Sequence, residues 1–163
     1  MSGCFALIVG AGRSDRFGGD LPKQYSTLVG LPIFYRTVAT FISHPGISGV
    51  QTVIHPADKD LYENTVEKLS LIKKSIVVND DVVNFLESNI STQYDIIFLD
   101  PPYKDKNLDK LLLKIDNQKI LNKNGVIIIH RHKNEQDIIP KVFQIIEQKK
   151  YGISKITFLT KLN

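Results

Sequence analysis

Tyr94-Asp95-Ile96-Ile97-Phe98-Leu99-Asp100-Pro101-Pro102-Tyr103 is the stretch on which the fold turns. The run is almost wholly apolar, too short for a helix, and stops at a carboxylate followed by two prolines. A strand of a parallel sheet is covered on both faces, so it loses the polar alternation of a half-exposed strand. The prolines end it, because neither can donate to a ladder. Outward from this run the pattern repeats in both directions. Strands are expected over 5–10, 49–55, 75–79, 126–130 and 153–160. Helices are expected over 32–43, 58–71, 80–87, 107–115 and 135–149, the last interrupted or started by Pro140. Phe34, Val38 and Phe41 fall at helical spacing in the first helix, and Leu61, Val66 and Leu69 in the second, with Asp58 as its cap. Such alternation of strand and helix predicts a doubly wound, mostly parallel Rossmann-like sheet of six to seven strands in three α/β/α layers.

The chain of 163 residues is the size of one α/β domain spanning 1–163. A composition seam falls near residues 70–75. Residues 1–72 carry six basic and six acidic side chains; residues 73–163 carry fifteen and eleven, so the whole net charge of +4 lies in the second part. That part suits a polyanion such as RNA, held through phosphate contacts. The one cysteine, Cys4, cannot form an internal disulfide, which predicts a reducing, cytoplasmic setting. No apolar run nears the ~20 residues of a membrane span, so a membrane partner is not expected.

Asp100-Pro101-Pro102-Tyr103 is placed for chemistry. Ligands of a doubly wound sheet sit beyond the carboxyl ends of its strands. There, the Asp100 carboxylate and the Pro101 carbonyl can accept hydrogen bonds from an exocyclic amino group and aim its nitrogen lone pair at a methyl donor. Tyr103 offers a face on which a base can stack. From about residue 76 to 158 the chain resembles the 16S ribosomal RNA guanine-N2 methyltransferase family. The resemblance rests on this motif, Val77-Val78-Asn79-Asp80, Leu121-Asn122-Lys123-Asn124-Gly125 and Tyr151-Gly152-Ile153-Ser154-Lys155. It implies S-adenosylmethionine as donor and Asp100, Pro101, Pro102 and Tyr103 as the catalytic strand end. The family's RNA-contacting arm and glycine-rich donor loop have no counterpart here.

The second informative stretch runs from Ala6 to Tyr25. Its Gly10-Ala11-Gly12 lets backbone approach an anion, and Arg16 and Lys23 supply cations where charge builds during phosphoryl chemistry. With Pro22-Lys23-Gln24-Tyr25, Leu31-Pro32, His44-Pro45-Gly46 and Val53-Ile54-His55-Pro56, residues 4–66 resemble the N-terminal half of the 2-C-methyl-D-erythritol 4-phosphate cytidylyltransferase family. That likeness implies CTP with Mg²⁺ as the nucleotide of isoprenoid biosynthesis, and Arg16 and Lys23 as catalytic cations. Ser14 stands where a glycine is usual, and the family's metal-binding strand has no counterpart, so no protein ligand for a metal is expected.

Both resembled families begin with strand, glycine-rich loop, helix, strand, helix. The first part is therefore expected to supply the opening strands of the second part's sheet. In that register Gly10, Ala11, Gly12 and Ser14 would lie beside the donor, with His55 or Asp58 near its ribose. The leading expectation is a methyltransferase-like protein acting on an amino group of guanine in ribosomal RNA. A cytidylyltransferase fragment and an inactive nucleotide- or RNA-binding fusion are the alternatives. His130 and His132 share one side of a strand and are expected to be a solvated strand end.

Overall fold

The computed structural model describes residues 3–10, 21–66, 75–79, 82–88, 90–101 and 106–162. Its seven main strands are β1 (Cys4–Val9), β2 (Ile47–Ile54), β3 (Ser75–Asn79), β4 (Tyr94–Leu99), β5 (Leu121–His132), β6 (Phe143–Tyr151) and β7 (Ser154–Lys161). The helices are α1 (Ile33–Ser43), α2 (Lys59–Val66), α3 (Val82–Glu87) and α4 (Leu108–Asn117). The strands form one sheet in the order β3-β2-β1-β4-β5-β7-β6. The pairs from β3 to β5 are parallel, whereas β7 runs antiparallel to both β5 and β6. This is the mostly parallel Rossmann-like sheet that the alternation predicts.

Two apolar layers sandwich the sheet. On one face Phe34, Val38 and Ile42 of α1 and Tyr62 of α2 pack on Ala6, Ile8, Val50 and Ile54. On the other, Phe85 and Leu86 of α3 and Leu108, Leu112 and Ile115 of α4 pack on Leu7, Val53, Ile97, Leu99, Ile127 and Ile129. β1, β2 and β4 contribute to both layers, which is why they read as unbroken apolar runs. Tyr94 ties the two parts of the sequence together: its buried hydroxyl donates to Gln51 Oε1 at 2.6 Å, from β4 to β2. Cys4 is half-buried. Burial, and then the charge of Asp95, push its thiol up.

The structure corrects several expectations. Residues 135–149 are not a helix: 133–142 form a turn and an extended loop, and Phe143–Tyr151 is the edge strand β6. Pro140 removes a donor and disfavours helical Ile139, while Ile138, Ile139, Val142, Ile145 and Ile146 are β-branched. Eight residue pairs with β7 decide the matter. Asp58, expected as the cap of α2, ends a short 3₁₀ turn, Pro56–Asp58, that leads directly into that helix. Ile42 is buried in α1 in place of the expected Phe41, which is half-buried against Phe98. In α2 the fully buried apolar residue is Tyr62, with Leu61 half-buried beside it; the side chains of Val66 and Leu69 lie outside the described residues. A hairpin, Thr27–Leu28 with Leu31–Pro32, was not foreseen. Among the described residues no helix is long and apolar enough to cross a membrane.

Candidate functional site

The chain reverses its course across the sheet between β1 and β4. β1 leads outward to β2 and β3, and β4 restarts on the other flank of β1. At such a reversal the loops beyond the carboxyl ends diverge and leave a crevice. Val9 pairs with Leu99, so Gly10 and Asp100 leave the sheet side by side, about 4.8 Å of strand spacing apart.

Gly10 is fixed on three sides. Its N–H donates to Val53 O at 2.9 Å, and its carbonyl accepts from Gln24 Nε2 at 3.2 Å. A Cβ at this position would lie 2.5 Å from Phe34 Cε2, so only glycine lets α1 close onto the strand end. Gln24 Nε2 also reaches Asp58 Oδ2 at 3.5 Å, which links the ends of β1 and β2. Asp58 is wholly buried there. His55 turns its Nδ1 to accept from Ala57 N at 3.1 Å. Lys23 opens a short helical turn, Lys23–Tyr25, beside Gln24.

Asp100 is 44% exposed, and one of its oxygens meets His130 Nδ1 at 2.9 Å. His130 Nε2 lies 2.9 Å from Ser154 Oγ. A carboxylate can only accept, so Nδ1 donates to Asp100, while Nε2 and the serine hydroxyl share the second hydrogen bond. Three strands, β4, β5 and β7, thereby hold the Asp100 carboxylate in one orientation, with its second oxygen left for a ligand. His130 is the residue that sequence reasoning missed. It is half-buried in a hydrogen-bonded chain and is not a solvated strand end. Its partner becomes visible only once β4 and β5 are known to be neighbours.

Of the expected site residues, the structure gathers Gly10, Lys23, His55, Asp58, Asp100 and Pro101 at this end of the sheet. Ala11, Gly12, Ser14, Arg16, Pro102 and Tyr103 lie outside the described residues. Among the described residues no three of His, Cys, Asp and Glu converge as metal ligands. A cavity of about 350 Å³ bordered by Gln93, Lys119, Leu121 and Lys123 sits at the opposite end of β4, away from Asp100.

Comparison with known proteins follows the same division. A family model described as conserved hypothetical protein 95 matches residues 53–160, and the model for 2-C-methyl-D-erythritol 4-phosphate cytidylyltransferase matches residues 4–89. The chain belongs to both families. The two matches overlap from the end of β2 through α3. A bifunctional IspD/IspF enzyme of Rhodospirillum rubrum is 51% identical over 71 residues, 44% of this chain and 18% of that protein. The chain thus spans about a fifth of the length of this curated relative. A candidate methyltransferase of Escherichia coli superposes with a TM-score of 0.67 at 16% identity, covering 97% of this chain and 77% of that one. A variant of the protein MtNAS, solved in complex with S-adenosylmethionine, superposes with a TM-score of 0.63 at 13% identity, covering 99% and 56%. At these identities the likeness is one of architecture: the chain has a methyltransferase-like fold.

Proposed function

We propose that the protein is an S-adenosylmethionine-dependent methyltransferase whose acceptor is the exocyclic amino group of a guanine in ribosomal RNA. The observation that carries this reading is the pairing of β1 with β4, which sets Gly10 and Asp100 at adjacent strand ends in one crevice. Asp100 gives that crevice an exposed carboxylate, which suits a ligand with a cationic centre. S-adenosylmethionine, when bound, supplies the activated methyl group. Gly10, Ala11, Gly12 and Ser14 would line its place, with His55 or Asp58 near its ribose. Asp100 and the Pro101 carbonyl would accept the N–H groups of the target amine and orient its lone pair, with Pro102 completing the motif and Tyr103 as the stacking platform. In-line methyl transfer depends on this alignment more than on strong acid or base.

In this reading the seam near residues 70–75 lies within a single domain, with β1 and β2 from the cytidylyltransferase-like part and β3 to β7 from the other. The family match over 4–89 favours a second reading, cytidylyl transfer from CTP with Mg²⁺ by Arg16 and Lys23. Calorimetric titration with S-adenosylhomocysteine and, separately, with CTP plus Mg²⁺ separates them. The methyltransferase reading expects S-adenosylhomocysteine to bind and Gly12→Arg to abolish binding. CTP binding that Lys23→Ala removes, with no response to S-adenosylhomocysteine, would replace it with the second. Silence toward both ligands, with RNA binding retained, would leave an inactive fusion.

A further inference from the structure

The antiparallel course of β7 brings the β6–β7 turn back to the rim that carries Asp100. Register sets the residues there in rows: His132 opposite Ser154 opposite Tyr151, and His130 opposite Ile156 opposite Lys149. Side chains alternate between faces, so these six share one face of the sheet. The Ser154–His130 hydrogen bond and the placement of Lys149 Nζ 5.9 Å over the Phe158 ring agree with that assignment. Tyr151 therefore stands three strand spacings, about 14 Å, along the rim from Asp100.

The turn is built to project. Gly152 takes φ +55°, a conformation costly for other residues. Lys133 N donates to Ile153 O at 2.8 Å and anchors the tip to β5. Tyr151 is 62% exposed and Ile153 61%. Lys149 shares the face of Tyr151, two residues before it, and is 46% exposed beside Glu147, with which it pairs at 3.3 Å; the exposed Lys133 follows at the anchored turn. Arg131 and Lys155 point to the opposite face, where both bind Asp137. An exposed aromatic ring among cations is the combination that single-stranded nucleic acid requires, one element for a base and the other for phosphates.

We propose that the β6–β7 tip is the docking surface for single-stranded RNA flanking the target nucleotide, with Tyr151 stacking on a neighbouring base and Lys133 and Lys149 holding phosphates. The choice of RNA over other polyanions rests on the methyl-transfer reading.

Fluorescence anisotropy with a dye-labelled, guanine-containing single-stranded RNA tests it, using the whole chain and the variants Tyr151→Ala, Tyr151→Phe and Lys149→Gln. Both side chains are exposed, so the fold is not at risk. Wild type is expected to bind in a salt-sensitive manner. Tyr151→Ala should weaken binding roughly 10-fold and Tyr151→Phe less than twofold, since stacking needs only the ring. Lys149→Gln should lower the slope of log affinity against log salt by about one. Wild-type affinity in Tyr151→Ala, or no RNA binding by the wild type, overturns the proposal. Methyl transfer undiminished in Tyr151→Ala sinks the tip and leaves the activity standing. Tyr151-dependent RNA binding by a protein that does not bind S-adenosylhomocysteine keeps the tip and sinks the activity.

Discussion

Raising the pH past about 10 should destabilise this protein through one buried phenol. Tyr94 is fully buried, its hydroxyl donates to Gln51 Oε1 at 2.6 Å, and burial pushes its pKa up to about 12. In the unfolded chain a tyrosine titrates near 10, so the folded state favours the neutral phenol by about two pH units, or about 2.7 kcal/mol. The folded-state value is the raised one, so this contribution is whole below pH 10. It drains away as the pH climbs toward 12, at up to about 1.4 kcal/mol per unit. Tyr94→Phe cannot ionise. It should begin about 1–3 kcal/mol less stable at pH 8, because Gln51 Oε1 keeps its burial and loses its donor. It should then lack this alkaline increment, so the two stability curves converge as the pH rises. Guanidinium unfolding followed by circular dichroism from pH 8 to 12 provides the comparison. Curves that stay parallel would refute the reasoning, and with it the close packing of β2 near β4 across the seam.

Gly10→Ala should cost about 1–3 kcal/mol of unfolding free energy, because its methyl enters the Phe34 ring, and Phe34→Leu in the same chain should recover part of it. Asp137→Ala leaves Arg131, 2% exposed, and Lys155 buried without their shared carboxylate, so a loss of about 3–5 kcal/mol is expected in denaturant unfolding. His130→Leu removes the donor that orients Asp100. Methyl transfer should fall toward 10²-fold in kcat with little change in KM, whereas His130→Asn, which can still donate, should keep most of the rate. Equal losses in both His130 variants would deny an orienting role.

The centre of the sheet was legible because burial on both faces leaves a plain mark. Cys4–Val9 and Tyr94–Leu99 are apolar without alternation, and glycine or Asp-Pro-Pro closes them. The edge was not legible. β6 is exposed on both faces beyond Phe143, so no alternation betrays it, and Ile138, Val142, Ile145 and Ile146 fall by chance at helical spacing. The density of β-branched residues on either side of Pro140 was the available signal. β5 read as five residues and is twelve, because Asn122, Lys123, Asn124 and Gly125 break its apolar run ahead of a register irregularity beside β4. The position of Asp100 could be read from its motif, since a strand end is a local feature. The tie from Asp100 to His130 and Ser154 joins residues 30 and 54 positions away, and depends on which strands are neighbours. Sequence spacing carries none of that.

Incubation with S-adenosylmethionine labelled in its methyl group and with ribosomal RNA, followed by digestion to nucleosides, tests most directly whether the β1 and β4 strand ends form one methyl-transfer site. The account predicts label in N2-methylguanosine, reduced at least 10²-fold in Asp100→Ala. Absence of label from guanosine, or label undiminished in that variant, would contradict it.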